Sequence, residues 1–88
     1  MDRKLRNKWL RALRSGKYQQ GWAELRCDGR HCVVGVLCEV AGLDIDQIYR
    51  SHSYDAIRGI GVEPCALYSK NYAGWTFNEL ADYIEENL

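Results

Sequence analysis

The chain has 88 residues, of which 47% are apolar, and its three Trp, six Tyr and one Phe come with a single proline and no low-complexity tract. That describes one folded domain, residues 1–88, with a thin core, and excludes extended disorder. Twelve basic and twelve acidic side chains give a formal net charge of zero, which argues against bulk electrostatic capture by nucleic acid or an anionic membrane.

No apolar stretch approaches the roughly 20 residues of a membrane span, and no apolar signal-peptide core is visible. The expectation is a soluble cytoplasmic protein, without membrane partners, in which Cys27, Cys32, Cys38 and Cys65 are reduced thiols. The zero net charge conceals an asymmetry. Residues 1–17 carry seven of the twelve bases and one acid, Asp2, whereas residues 79–88 carry Glu79, Asp82, Glu85 and Glu86 and no base. Either the two ends neutralise one another across the domain, or each faces a partner of opposite sign.

Asp2 is placed to cap a first helix, along which Leu5, Trp9, Ala12 and Leu13 share one face and Arg3, Lys4, Arg6, Lys8, Arg11 and Arg14 fill most of the rest. Gly16 stops it near Ser15. Tyr18 to Arg26 has no helical period, and Asp28-Gly29 is a hairpin-turn pair, so two short antiparallel strands are predicted near 20–26 and 31–35. Periodicity does not separate strand from helix over 33–41; the reading taken is strand to about Val33, then helix from about Val34 to Ala41, closed by Gly42.

Residues 43–63 read as irregular, with Asp44 or Asp46 capping a turn through Gln47-Ile48-Tyr49, a loop at Ser51–Tyr54 and a break at Gly59-Ile60-Gly61 before Pro64. A short helix is predicted over 65–72. Thr76-Phe77-Asn78-Glu79 has capping-box form and opens a helix over 77–87 with Phe77, Leu80, Ala81 and Ile84 on one face and Trp75 positioned to staple onto Leu80. The fold class is α+β: N- and C-terminal amphipathic helices around a short β-hairpin and a central short helix bearing Cys38. Trp9, Leu13, Leu25, Val34, Val36, Leu37, Leu80 and Ile84 are the predicted core.

The run from Trp9 to Gln20, WLRALRSGKYQQ, resembles the opening of a family of small, mostly uncharacterised proteins encoded by bacteriophages and prophages. Cys32-Val33-Val34-Gly35-Val36-Leu37-Cys38 is similar to the segment Cys-Cys-Leu-Gly-Val-Leu-Cys of that family. Asn71, Gly74 and the run Thr76 to Glu85 stand where the family has Leu-Asn-Asp, a glycine and Ser/Thr-Phe-x-Glu-Ile-Ala-Asp-x-Ile-Glu. Two departures are Val33 in place of the second cysteine and Tyr72 in place of the Asp. The resemblance implies a phage or mobile-element origin and transfers no catalytic residue.

Four cysteines with His31 and His52 raise a zinc reading, but structural zinc sites bring ligands in tight pairs. Here the spacing is Cys27-x4-Cys32-x5-Cys38 with Cys65 far off, and no second pair exists. The reading is no cofactor, with zinc held by Cys27, Cys32, Cys38 and Cys65 the disfavoured alternative. A cysteine nucleophile needs a base; His31 adjoins Cys32 and would point to the other face of a strand, and His52 would have to approach from afar, oriented by Asn71 or Asp55. Gly59-Ile60-Gly61 forms no phosphate cradle. The expectation is therefore not an enzyme.

Trp, Tyr and Arg, the residue types of interface hot spots, concentrate over residues 9–30. The candidate partner-binding residues are Arg6, Arg11, Arg14, Lys17, Tyr18, Trp22 and Arg30. The leading expectation is a phage-type accessory protein that docks on a host or phage protein and inhibits or modulates a host defence or regulatory machine. The alternative is a nucleic-acid-binding regulator using the basic first helix. Exposed Trp22 or Trp75 would suit a symmetric dimer, and nothing in the sequence specifies one.

Overall fold

The structure, a computed structural model, describes residues 1–88 and is α+β, with six helices and a three-stranded sheet. Helix α1 (Arg3–Arg14) begins where Leu5 N–H donates to the Asp2 carboxylate at 2.9 Å, and ends as Ser15 Oγ donates to the Ala12 carbonyl at 2.8 Å before Gly16 turns the chain at φ 75°. The sheet comprises β1 (Gln19–Gln20), β2 (Arg26–Cys27) and β3 (Arg30–His31). Asp28 at φ 52° and Gly29 at φ 77° supply the two positive dihedrals of a tight hairpin turn, and β2 pairs antiparallel with β3 in the register Arg26↔His31, Cys27↔Arg30.

The predicted long first strand does not form. β1 pairs parallel with β3 (Gln19↔Arg30, Gln20↔His31), which makes β3 the central strand. Gly21 N–H still donates to the His31 carbonyl at 2.7 Å, after which the chain leaves the sheet. Burial is the reason: Trp22, Ala23 and Glu24 are all exposed while Leu25 enters the core completely, which breaks the two-residue alternation of a strand because Ala23 and Leu25 would share a face.

Helix α2 spans Val33–Ala41, so Val33 is helical and not the end of a strand. Cys32 is its N-cap, with Sγ accepting from Gly35 N–H at 3.4 Å, and Val33 N–H donates to the Asn71 Oδ1 at 3.0 Å. Those partners satisfy N–H groups that a buried helix start would otherwise orphan. Gly42 (φ 73°) closes the helix in a Schellman turn, with Leu43 N–H donating to the Cys38 carbonyl at 2.9 Å.

The stretch predicted as irregular contains α3 (Ile45–Ser51), capped by Asp44, and α4 (Asp55–Gly59). These helices are too short to persist alone; burial of Ile45, Ile48 and Ile57 holds them. α5 (Pro64–Tyr72) has Pro64 in its first turn and Glu63 as cap, and α6 (Phe77–Asn87) carries the predicted capping box, Thr76 with Glu79. Trp75, predicted to staple onto Leu80, has its ring edge-on to Tyr83 at 6.1 Å, with the Lys70 ammonium 4.9 Å from one ring and 4.8 Å from the other.

All eight predicted core residues are at most 2% exposed, within a cluster of 19 buried apolar residues. α1 packs on α2 and α6, and α5 packs on α2. Trp9 Nε1 donates to the Val33 carbonyl at 3.0 Å, so even the largest core side chain has its polar atom partnered.

Candidate partner-binding face

The opposite charges of the two ends meet. Arg14 contacts Asp82 at 2.9 Å and Glu85 at 3.3 Å, and these hydrogen-bonded partners, Glu85 first, raise its pKa. Arg6 donates to the Glu85 backbone carbonyl at 3.3 Å, close to the C-terminal end of α6 where a cation suits the helix dipole. Two of the seven candidate residues, Arg6 and Arg14, thus tie α1 to α6. Arg11 remains exposed on a groove of about 530 Å³ between these helices, alongside Asn7, Leu10, Arg14, Ser15 and Glu85. Lys4, Lys8 and Arg11 follow one another at helical spacing along α1, exposed and without a carboxylate partner.

Lys17 lies 5.7 Å from the Tyr18 ring centroid, and Tyr18, half-buried, meets His31 edge-on at 5.1 Å. Trp22 and Arg30 sit together on a cleft of about 320 Å³ lined also by Gly21, Ala23, Glu24, Cys27 and Asp28. The hairpin turn brings Cys27, Asp28 and Arg30 to this rim, and the departure of the chain from the sheet after Gly21 brings Trp22. Trp22 is 47% exposed. Arg30 Nη1 donates to the Gln20 carbonyl at 3.5 Å.

A buried amide network underlies this face and carries no local sequence signal beyond the resemblance at Asn71. Asn71, fully buried, donates from Nδ2 to the Gly21 carbonyl at 2.9 Å and accepts at Oδ1 from Val33 N–H and from Gln20 Nε2 at 3.3 Å. Gln20 also donates to the Trp75 carbonyl at 2.6 Å and accepts from Phe77 N–H at 3.1 Å. These two side chains join β1, the loop bearing Trp22, and the starts of α2 and α6. On the other side, Arg26 reaches Asp46 at 2.9 Å and Glu39 at 3.7 Å, and Tyr49 hydroxyl accepts from Arg26 N–H at 3.3 Å, which covers the outer edge of β2.

The cysteines are dispersed: Cys32 and Cys38 are fully buried, Cys27 and Cys65 exposed. No group of three or more His, Cys, Asp or Glu side chains is gathered to hold a metal ion. Burial raises the Cys32 thiol and pushes Cys38 up to about 12, while the charges of Asp28 and then Glu24 raise Cys27. His31 is 8% exposed, and neither ring nitrogen has a hydrogen-bond partner; Glu39 Oε2 stands 3.8 Å from Nε2, too far for one. Burial lowers its pKa, against an upward pull from Glu39, with Arg26 adding to the lowering. His52 takes the left-handed position that ends α3, at φ 53°, and Asn71 gives its amide to Val33, Gly21 and Gln20. The arrangement of cysteine, histidine and asparagine weighed from the sequence is not assembled.

Fold and face together define a small α+β domain with a charge-clamped pair of terminal helices and an open aromatic cleft. The family model described as a domain of unknown function (DUF8296) matches residues 1–54, more than half of the chain, and the chain belongs to that family. Comparison with curated proteins and with solved structures returned no match. No helix is long and apolar enough to cross a membrane.

Proposed function

We propose that the chain is a phage-type accessory module that binds a host or phage protein in the host-cell cytoplasm and so inhibits or modulates a defence or regulatory machine. It acts by docking, without a cofactor or catalytic residue of its own. One observation carries the reading: Trp22 stands 47% exposed beside Arg30 on an open cleft of about 320 Å³. Exposed tryptophan and arginine on a concave, partly apolar patch are the residues from which binding energy is concentrated. Lys17, Tyr18 and Arg11 extend the candidate surface. The resemblance of the segments at Trp9–Gln20 and Cys32–Cys38 to phage-encoded proteins supports the setting.

The test is a tagged pull-down from bacterial lysate with nuclease, using the wild-type chain and Trp22→Ala. A single near-stoichiometric protein that survives nuclease and is lost with Trp22→Ala is the expected result. A second reading, nucleic-acid binding, draws on the stripe Lys4, Lys8 and Arg11, which has no carboxylate partner. It requires recovery to collapse with nuclease, a gel shift that weakens steeply with salt, and loss of that shift in Lys8→Glu/Arg11→Glu.

A further inference from the structure

We infer that the Trp22 cleft receives a cationic side chain, an arginine or lysine from a basic segment of the partner, held between the Trp22 indole and the carboxylates of Glu24 and Asp28. This rests on the protein-binding reading and specifies its partner chemistry.

The first argument is how the carboxylates are used. Of the twelve acidic side chains, Glu39, Asp46, Asp55, Glu63, Asp82 and Glu85 meet cations within the fold, and Asp2, Asp44 and Glu79 cap helices. Glu24, Asp28 and Glu86 do neither, and two of those three line this one cleft. Both are exposed. Both line the cleft together with the Cys27 thiol, whose pKa Asp28 and then Glu24 raise. Arg30, the cation on the rim, neutralises neither: it forms no ion pair and donates to the Gln20 carbonyl.

The second argument is the chemistry that such a cleft selects. An exposed indole face is the best aromatic receptor for an ammonium or guanidinium. Carboxylates beside it add charge-assisted hydrogen bonds, which a planar guanidinium can make in pairs while it stacks. An apolar side chain would strip water from two carboxylates and offer nothing in return, and an acidic segment would meet like charge. A cleft of about 320 Å³ has room for one long side chain.

The experiment titrates the full chain with hexa-arginine, and with hexa-glutamate for comparison, following the indole N–H resonances by NMR. Trp9 is buried and Trp75 lies against Tyr83, so the Trp22 signal is assigned by comparison with Trp22→Phe. Hexa-arginine is expected to move the Trp22 resonance, with binding about tenfold weaker in Glu24→Gln/Asp28→Asn. That double variant keeps the fold, because both positions are exposed and Asn tolerates the φ of 52° at position 28. An unmoved Trp22 resonance, equal binding by the double variant, or preference for hexa-glutamate overturns the inference. So does self-association of the wild type that the double variant abolishes, since a second copy would then be the occupant. If Trp22→Ala still abolishes partner capture while hexa-arginine fails, the cationic occupant falls and the docking function stands.

Discussion

Gly35 lies directly against the backbone of Leu25: a Cβ built on it would overlap the Leu25 carbonyl oxygen and sit 2.7 Å from the carbonyl carbon. That carbonyl also accepts from Cys32 N–H at 3.3 Å, so the loop bearing Trp22 and the start of α2 are locked at one point. Gly35→Ala gains about 1 kcal/mol of helix propensity but forces backbone apart in a closed core. The clash wins, and a net loss of about 3 kcal/mol is expected in urea unfolding. Gly59→Ala, at a position with open space around it, should change the midpoint little.

Asn71→Ala removes the acceptor for Val33 N–H and the donor to the Gly21 carbonyl inside the protein. Stranding two backbone groups there should cost about 2–4 kcal/mol. Asn71→Asp restores the acceptors but sets a carboxylate oxygen against the Gly21 carbonyl, so it should not rescue stability. Recovery of wild-type stability by Asn71→Asp in denaturant titration would show that the donor to Gly21 is unimportant.

His31 gives the fold an acid sensitivity with a definite sign. Its pKa is lowered by burial, so the unfolded chain takes up a proton more readily than the folded one. Stability is therefore complete above the unfolded value of about 6.5 and falls as pH drops below it. Urea midpoints measured between neutral and mildly acidic pH should decline in the wild type, and decline less in His31→Phe, which retains an aromatic ring beside Tyr18.

Arg14→Glu separates the helix clamp from the docking face. It turns contacts with Asp82 and Glu85 into repulsion, and the loss of stability should shrink at high salt because all three groups are partly exposed. Partner capture should persist in Arg14→Glu at a temperature where it remains folded, and vanish in Trp22→Ala. Equal loss in both variants would extend the binding face from the Trp22 cleft to α1.

Alkylation of the native chain, read by intact mass, should add two labels, at the exposed Cys27 and Cys65, and four after unfolding. Cys27 should react faster as pH rises, because Asp28 and Glu24 hold its thiol protonated. Native labelling of Cys32 or Cys38 would mean that the start of α2 opens.

Elements whose ends are written in local chemistry were legible in the chain: α1 between Asp2 and Gly16, the turn at Asp28-Gly29, the stop at Gly42 and the capping box of α6. Caps and positive-φ turns act over three or four residues, so the sequence alone determines them. Among the eight core residues, Trp9, Leu13, Leu80 and Ile84 were legible because their apolar spacing follows the helix period, and Val34, Val36 and Leu37 because they sit in one continuous apolar run, whereas Leu25 lies in a stretch without helical period. The start of α2 at Val33, the parallel pairing of Gln19 with Arg30, and the helices α3 and α4 were not legible. Each depends on a partner distant in the chain: Asn71 beneath Val33, β3 beside β1, and a common core under Ile45, Ile48 and Ile57. The same holds for the candidate site. Residue type marked Arg6, Arg14, Trp22 and Arg30 alike, but only the packing of α1 on α6 commits Arg6 and Arg14 to the acidic helix and leaves Trp22 on an open cleft with Glu24 and Asp28. A charge or an aromatic ring becomes available for binding only where the fold leaves it unpartnered, and that is decided by neighbours dozens of residues away.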